Sequence, residues 1–179
     1  MHTYLITFTT YGTWLHGDRR GFVDLEHNRV GDPVRTEHRS LHEKSEQAMK
    51  SKPYTLDEAA RNVVLAAIRQ HAEFRGWSLL AVHVRSNHVH VVVAGEATPE
   101  RMMTEFKAYA SRALNALDSV SHRWTRHGST LWLKAEDSIC RAVEYVVEEQ
   151  GDLMSVWCAE TYEPRPLGSG PPTTPTRGC

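Results

Sequence analysis

The feature that most constrains the fold is a hairpin near the middle of this 179-residue chain. Residues 77–85 and 88–93 are rich in Leu and Val, which is typical of strands. The two residues between them, Ser86 and Asn87, favour a tight turn. A helical pattern precedes this hairpin and another follows it. The chain is therefore predicted to combine an antiparallel sheet with helices.

The other elements follow from periodicity and from capping residues. In chain order we predict a strand (4–11), a helix (55–76), the two hairpin strands (77–85 and 88–93), a helix (98–117), a strand (130–134) and a helix (136–151). Their order predicts an α+β fold of the ferredoxin-like, split βαβ type: an antiparallel sheet with helices on one face, followed by a C-terminal helix. We expect one domain over residues 1–160. Residues 161–179 are rich in Pro and Gly and are predicted to form a disordered tail.

Composition excludes several classes of protein. No apolar run approaches the ~20 residues of a membrane span, and the start of the chain reads as a strand and not as a signal peptide. The three cysteines have no paired spacing, which argues against a disulfide framework or a zinc site. A cytoplasmic location is therefore expected. The net charge of −1 does not by itself indicate a nucleic-acid binder. Residues 98–134, however, hold six basic against three acidic side chains.

A possible metal site lies on the second hairpin strand. Successive strand side chains point to opposite faces, so His88 and His90 share one face while Val89 and Val91 share the other. Two imidazoles at this spacing on a rigid strand can chelate a divalent ion. By the same kind of argument, Tyr145 and Glu149 are four residues apart and share one face of the last predicted helix.

These segments resemble a known family. The run Ser86-Asn87-His88-Val89-His90 resembles the His-hydrophobe-His ("HUH") motif of single-tyrosine transposases, including the REP-associated tyrosine transposases and IS200-like enzymes. The run Tyr145 to Gly151 resembles their nucleophile helix, in which a polar metal ligand follows the tyrosine by four residues. Similar stretches also occur at residues 11–18, 106–112 and 124–130, so the resemblance extends over most of residues 4–151.

The resemblance implies a DNA transposase that nicks and rejoins single-stranded, hairpin-associated DNA through a 5′-phosphotyrosine at Tyr145. It implies a divalent metal, Mg²⁺ or Mn²⁺, held by His88, His90 and a third ligand on the catalytic helix. Helical spacing favours Glu149 for that ligand, and Gln150 is the alternative. A nucleoid-associated enzyme is expected. The resemblance leaves both a monomer and a homodimer open.

The candidates for contacts to DNA phosphates or bases are Lys107, Arg112, Arg126 and His127. The resemblance also suggests that residues 12–17 lie near the DNA. Tyr109 is a second tyrosine to consider as nucleophile, although its apolar neighbours indicate a core position.

Two other functions fit part of the pattern. One is a non-catalytic module that binds single-stranded nucleic acid on its sheet, which requires exposed aromatic side chains on the central strands. The other is a metal-dependent phosphoesterase that uses water as the nucleophile and needs no tyrosine.

Overall fold

The computed structural model describes residues 1–13, 49 and 51–160. Over these residues the elements are β1 (His2–Thr10), α1 (Glu58–Phe74), β2 (Ser78–Val84), β3 (His88–Gly95), α2 (Pro99–Leu114), β4 (Trp124–Leu133), α3 (Glu136–Val147) and β5 (Ser155–Cys158). Most of the segment predicted to lie near the DNA, residues 14–17, and the predicted tail, residues 161–179, fall outside the described residues.

The strands form one antiparallel sheet in the order β4-β1-β3-β2-β5. The first four strands have the arrangement predicted for a ferredoxin-like α+β fold. In this order β3 lies at the centre, with β1 on one side and β2 on the other. In this register His90 faces Thr7 on β1 and His83 on β2. The predicted metal-binding strand is thus the central strand of the sheet and is paired on both sides.

The two faces of the sheet are covered by different helices. On one face, α1 and α2 pack over a buried cluster that includes Val89, Val91 and Phe106. On the other face, α3 packs over a smaller buried cluster that includes Ala81, Val92 and Val146. The predicted alternation along β3 is confirmed, because the odd-numbered valines face α1 and α2 while Val92 faces α3. His88 and His90 therefore lie on the α3 face.

Several element boundaries differ from the sequence predictions. Helix α1 begins later, because Asp57 and not Thr55 caps it by accepting a 2.8 Å bond from the Ala60 N–H. Strand β4 begins at Trp124, six residues before the predicted start at 130. Strand β5 was not predicted, and it pairs with β2 at the edge of the sheet. None of the helices in the described segments is both long and apolar enough to cross a membrane.

Candidate active site

His88 and His90 lie side by side on the α3 face of the sheet. Their ring centroids are 4.8 Å apart. His90 is only 5% exposed, and His88 is half-buried at the start of β3. The sequence predicted that these two rings lie together. The backbone of the central strand β3 holds both of them in place.

Hydrogen bonds orient both imidazole rings. Nδ1 of His88 lies 2.7 Å from Oδ1 of Asn87, and an amide oxygen only accepts, so Nδ1 carries the proton and Nε2 the lone pair. Nδ1 of His90 lies 2.7 Å from the hydroxyl of Thr7 on β1. Neighbours that fix the ring orientation in this way are typical of metal-ligating histidines.

Burial keeps His90 neutral. Burial is the largest cause that lowers the pKa of His90 to about 3; the nearby His88 and His83 act in the same direction and Gln150 acts in the opposite one. A neutral imidazole has a lone pair to offer a metal ion, whereas a protonated one has none. The ring of His90 is thus in the chemical state that a metal ligand needs.

Tyr145 lies beside this pair of histidines. It is on the last turn of α3, and its ring centroid is 5.6 Å from that of His90 at an interplanar angle of 74°. The side chain is 39% exposed, whereas its helical neighbour Val146 is fully buried. Tyr145 is therefore anchored through the backbone of α3 yet open to a substrate.

The third predicted ligand is placed differently from what helical spacing suggested. Helix α3 ends at Val147, so Glu149 lies beyond the helix and is exposed. Within residues 1–13 and 51–160, no three His, Cys, Asp or Glu side chains are close enough to hold a metal, so Glu149 does not lie with the two histidines. Gln150, in contrast, is close enough to His90 to raise the pKa of that ring, and its amide donates a 3.0 Å bond to the Tyr145 carbonyl. The amide is thus the side chain nearest to a third-ligand position.

The donor set fits a divalent ion. Two neutral imidazoles and an amide oxygen are borderline-to-hard donors of the kind that bind Mn²⁺ or Mg²⁺. The set also leaves coordination positions for phosphate oxygens, since it provides only three protein atoms.

Comparison with known proteins identifies the family. The family described as "Transposase IS200 like" matches residues 47–135. The chain belongs to this transposase family. The matched segment contains His88 and His90 and ends before Tyr145, so the histidine pair lies within the part of an IS200-like transposase that the match covers.

Similarity to solved structures and curated proteins is weaker. One solved structure, described as a REP-associated tyrosine transposase bound to a REP hairpin, has 12% sequence identity and a TM-score of 0.47. The similarity covers 82% of this chain and 64% of that one, so the chain spans under two thirds of that transposase. No curated protein matches the chain.

Lys107 is predicted from the sequence to contact DNA, but its ammonium group bonds to backbone atoms of the protein. Its ammonium group donates to the carbonyls of Thr125, Arg126 and His127 at 3.0–3.4 Å. Burial lowers its pKa to about 8, so the group is still mainly protonated at neutral pH and has three N–H donors. All three donors are used within the chain. Lys107 thus holds the start of β4 against α2.

Arg112 and Tyr109 lie far from the histidine pair in this IS200-like fold. Both belong to α2, on the opposite face of the sheet, where Arg112 stacks over the Tyr109 ring at 4.7 Å. Tyr109 in turn stacks on His71, with 3.8 Å between ring centroids. Tyr109 is 37% exposed and so is not the core residue that its neighbours suggested. Its position nevertheless argues against a role as nucleophile.

Arg126 and His127 lie closer to the histidines. Both are exposed at the start of β4. The preceding residue, Thr125, shares a 2.9 Å hydrogen bond with Thr9, and Thr9 is the partner of His88 in the β1–β3 register. These two basic residues therefore lie near the end of the sheet that carries the half-buried His88.

Four residues around the site were missed in the sequence. Asn87 directly precedes His88 in the motif and could have been found there. Thr7 could not, because the register of β1 against β3 is not readable from the chain. His83 and Arg85 alternate on β2 and so share the α3 face, a signal that was present in the sequence.

Proposed function

We propose that this IS200-like transposase nicks and rejoins single-stranded, hairpin-associated DNA, with Tyr145 as the nucleophile, in DNA transposition. The observation that carries the proposal is the position of an exposed tyrosine beside two oriented imidazoles. A phenol alone is a poor nucleophile at neutral pH, whereas a phenol next to a metal-binding pair has a polarised phosphate to attack.

The proposed reaction conserves the energy of the phosphodiester bond. The Tyr145 oxygen loses its proton and forms a bond to phosphorus, while the bond from phosphorus to the 3′ oxygen breaks. The 3′ oxygen takes up a proton and leaves as a 3′-OH, and the 5′ side of the DNA stays attached as a phosphotyrosine. Attack by another 3′-OH reverses the step and rejoins strands, so no ATP is needed.

The residues that would hold the metal are His88, His90 and a third ligand, for which the contacts favour Gln150 over Glu149. When bound, the divalent ion would offset charge at a non-bridging phosphate oxygen. Asn87 and Thr7 orient the two rings. Since Nδ1 of His88 donates to Asn87, Nε2 is the atom of His88 that would ligate the ion.

The DNA is expected to lie across the end of the sheet that α3 leaves uncovered. Helix α3 covers the part of this face near Ala81 and Val92. At the other end lie His88 and Thr9, and Thr9 shares a hydrogen bond with Thr125, the residue before the exposed Arg126 and His127. Basic side chains at this end of the sheet can contact phosphates on either side of the cleaved bond.

The two alternative functions have less support. A module that binds by stacking needs exposed aromatic rings on the central strands, yet the α3 face of β1 and β3 presents Thr7, Thr9, His88 and His90, all within the described residues. A phosphoesterase that uses water as the nucleophile would give no role to Tyr145, which lies beside His90.

A denaturing gel and a native gel together distinguish the three functions. A single-stranded oligonucleotide with a hairpin is labelled at either end, incubated with the protein and Mn²⁺, and run under both conditions. On the denaturing gel a 5′-phosphotyrosine keeps the 3′-end label on the protein and releases the 5′-end label on a fragment with a 3′-OH. Two free fragments would indicate a hydrolase. A strand that is uncut on the denaturing gel but shifted by the protein on the native gel would indicate a binding module.

A further inference from the structure

His83 on β2 and Arg85, the residue directly after β2, lie next to the proposed site without entering its chemistry. His83 is the partner of His90 in the β2–β3 register and is fully buried. Arg85 follows two residues later, on the same face, and is half-buried. Both side chains contact backbone atoms in the segment that runs from the last turn of α3 to β5.

His83 uses both ring nitrogens on this segment. Nδ1 lies 2.9 Å from the carbonyl oxygen of Val146, which can only accept, so Nδ1–H donates. Nε2 accepts a 3.3 Å bond from the N–H of Met154. The ring is therefore neutral and bridges the end of α3 to the chain that leads into β5. Val146 directly follows the proposed nucleophile, Tyr145.

Arg85 binds the backbone between Val146 and Met154. Its guanidinium donates to the carbonyls of Gln150 and Asp152, which flank Gly151. Helix α3 has no basic residue in its own last turn. Arg85 thus provides from β2 the positive charge that favours a helix C-terminus.

We propose that His83 and Arg85 are positioning residues that hold Tyr145 and Gln150 against His90. This inference rests on the proposed function. The backbone that carries Tyr145 is tied to β2, and β2 is paired in register with the strand that carries His90. The distance from nucleophile to metal ligand is therefore set by a short chain of hydrogen bonds, of which the one from His83 to Val146 is buried. Displacement of a reacting group by about 1 Å can cost ~10²-fold in rate.

A matched pair of substitutions separates the two bonds of His83. In His83→Asn the amide nitrogen occupies the place of Nδ1 and keeps the bond to Val146. In His83→Gln the longer side chain places its amide near Nε2 and keeps the bond to Met154. Each variant loses one hydrogen bond, so similar losses of thermal stability are expected. Only the first variant preserves the bond next to Tyr145.

The measured quantities are the single-turnover rate of adduct formation on an oligonucleotide, the oligonucleotide affinity and Mn²⁺ binding. We expect His83→Asn to keep the rate within about threefold and His83→Gln to lower it on the order of 10–100-fold, with both affinities unchanged. Arg85→Met should lower the rate to a similar extent and, because Arg85 holds the backbone of the proposed ligand Gln150, should also weaken Mn²⁺ binding. Arg85→Lys should restore part of both. Equal rates in the two His83 variants would overturn the inference.

Amide hydrogen exchange tests the positioning role even if no DNA cleavage can be measured. In the absence of DNA, His83→Gln should accelerate exchange in residues 145–152 more than His83→Asn does, and equal exchange would count against the inference. Failure of the wild-type chain to form any adduct would count against the proposed function alone. A wild-type adduct that forms just as fast in His83→Gln would count against the positioning role alone.

Discussion

His90 and Tyr145 meet edge to face, with their ring centroids 5.6 Å apart. The two residues are distant in sequence, and they belong to the two layers that enclose the smaller buried cluster of the protein. Val92, two residues after His90, packs in that cluster with Val146, the neighbour of Tyr145. The apolar contacts that attach α3 to the sheet therefore also bring the proposed nucleophile to the proposed metal ligand.

Removal of the phenolic oxygen tests the nucleophile. Tyr145→Phe should abolish covalent attachment to a single-stranded oligonucleotide, because no oxygen remains to attack phosphorus. Oligonucleotide affinity should stay within about twofold, since the ring and its packing are retained. Denaturing gels and fluorescence anisotropy measure the two quantities. The control is Tyr109→Phe, which should form the adduct normally. An adduct that survives denaturation in Tyr145→Phe would refute the assignment.

Removal of the two imidazoles tests the metal site. His88→Ala combined with His90→Ala should eliminate Mn²⁺-dependent cleavage and Mn²⁺ binding measured by electron paramagnetic resonance. Thr7→Val, which loses only the bond that orients His90, should weaken Mn²⁺ binding by about 10–100-fold. His122→Ala is a suitable control, because that exposed ring bonds to serines outside the site. Metal-independent cleavage by the double variant would contradict the proposed site.

The sequence predicted the parts of the fold that depend on periodicity. The alternation along β3 placed His88 and His90 on one face, and the helical spacing of α1 and α3 identified most of their buried residues. It failed where tertiary contacts decide. Strand β5 has only four residues, and it forms because β2 offers an open edge. The start of β4 is polar and is held by Lys107, which no local pattern reveals.

The candidate site shows the same division. The histidine pair depends on a two-residue period and could be predicted from the chain. The third ligand stays a prediction, and the helical spacing that favours Glu149 assumes that α3 continues through this residue, whereas the helix ends at Val147. Beyond that point Arg85 and His83 decide the path of the backbone. The orienting bond of Thr7 likewise depends on strand register, which is a property of the whole sheet.

Substitution of Lys107 should lower the stability of the fold, whereas substitution of Arg126 should lower the affinity for DNA. Lys107→Met leaves three carbonyls of β4 without their donor, so the free energy of unfolding should fall by about 1–3 kcal/mol. Arg126→Ala removes an exposed side chain and should leave stability nearly unchanged. It should weaken DNA binding and reduce the slope of log affinity against log salt by about 0.7, as for one lost phosphate contact on a single strand. Chemical denaturation and a salt titration provide these values. Equal loss of DNA affinity in both variants would indicate that Lys107 contacts DNA as the sequence predicts.

Gln150 and Glu149 provide a matched test of the third ligand. Both follow α3, yet only Gln150 contacts His90, whereas Glu149 is exposed. Gln150→Ala should weaken Mn²⁺ binding and slow adduct formation by about 10-fold or more, and Glu149→Ala should change neither. Gln150→Glu should retain Mn²⁺ binding, because a carboxylate is a hard oxygen donor of nearly the same size. Mn²⁺ titration of the three variants measures the effect directly. If Glu149→Ala alone loses metal affinity, the segment after α3 must rearrange when the ion binds, and the ligand predicted from helical spacing is the right one.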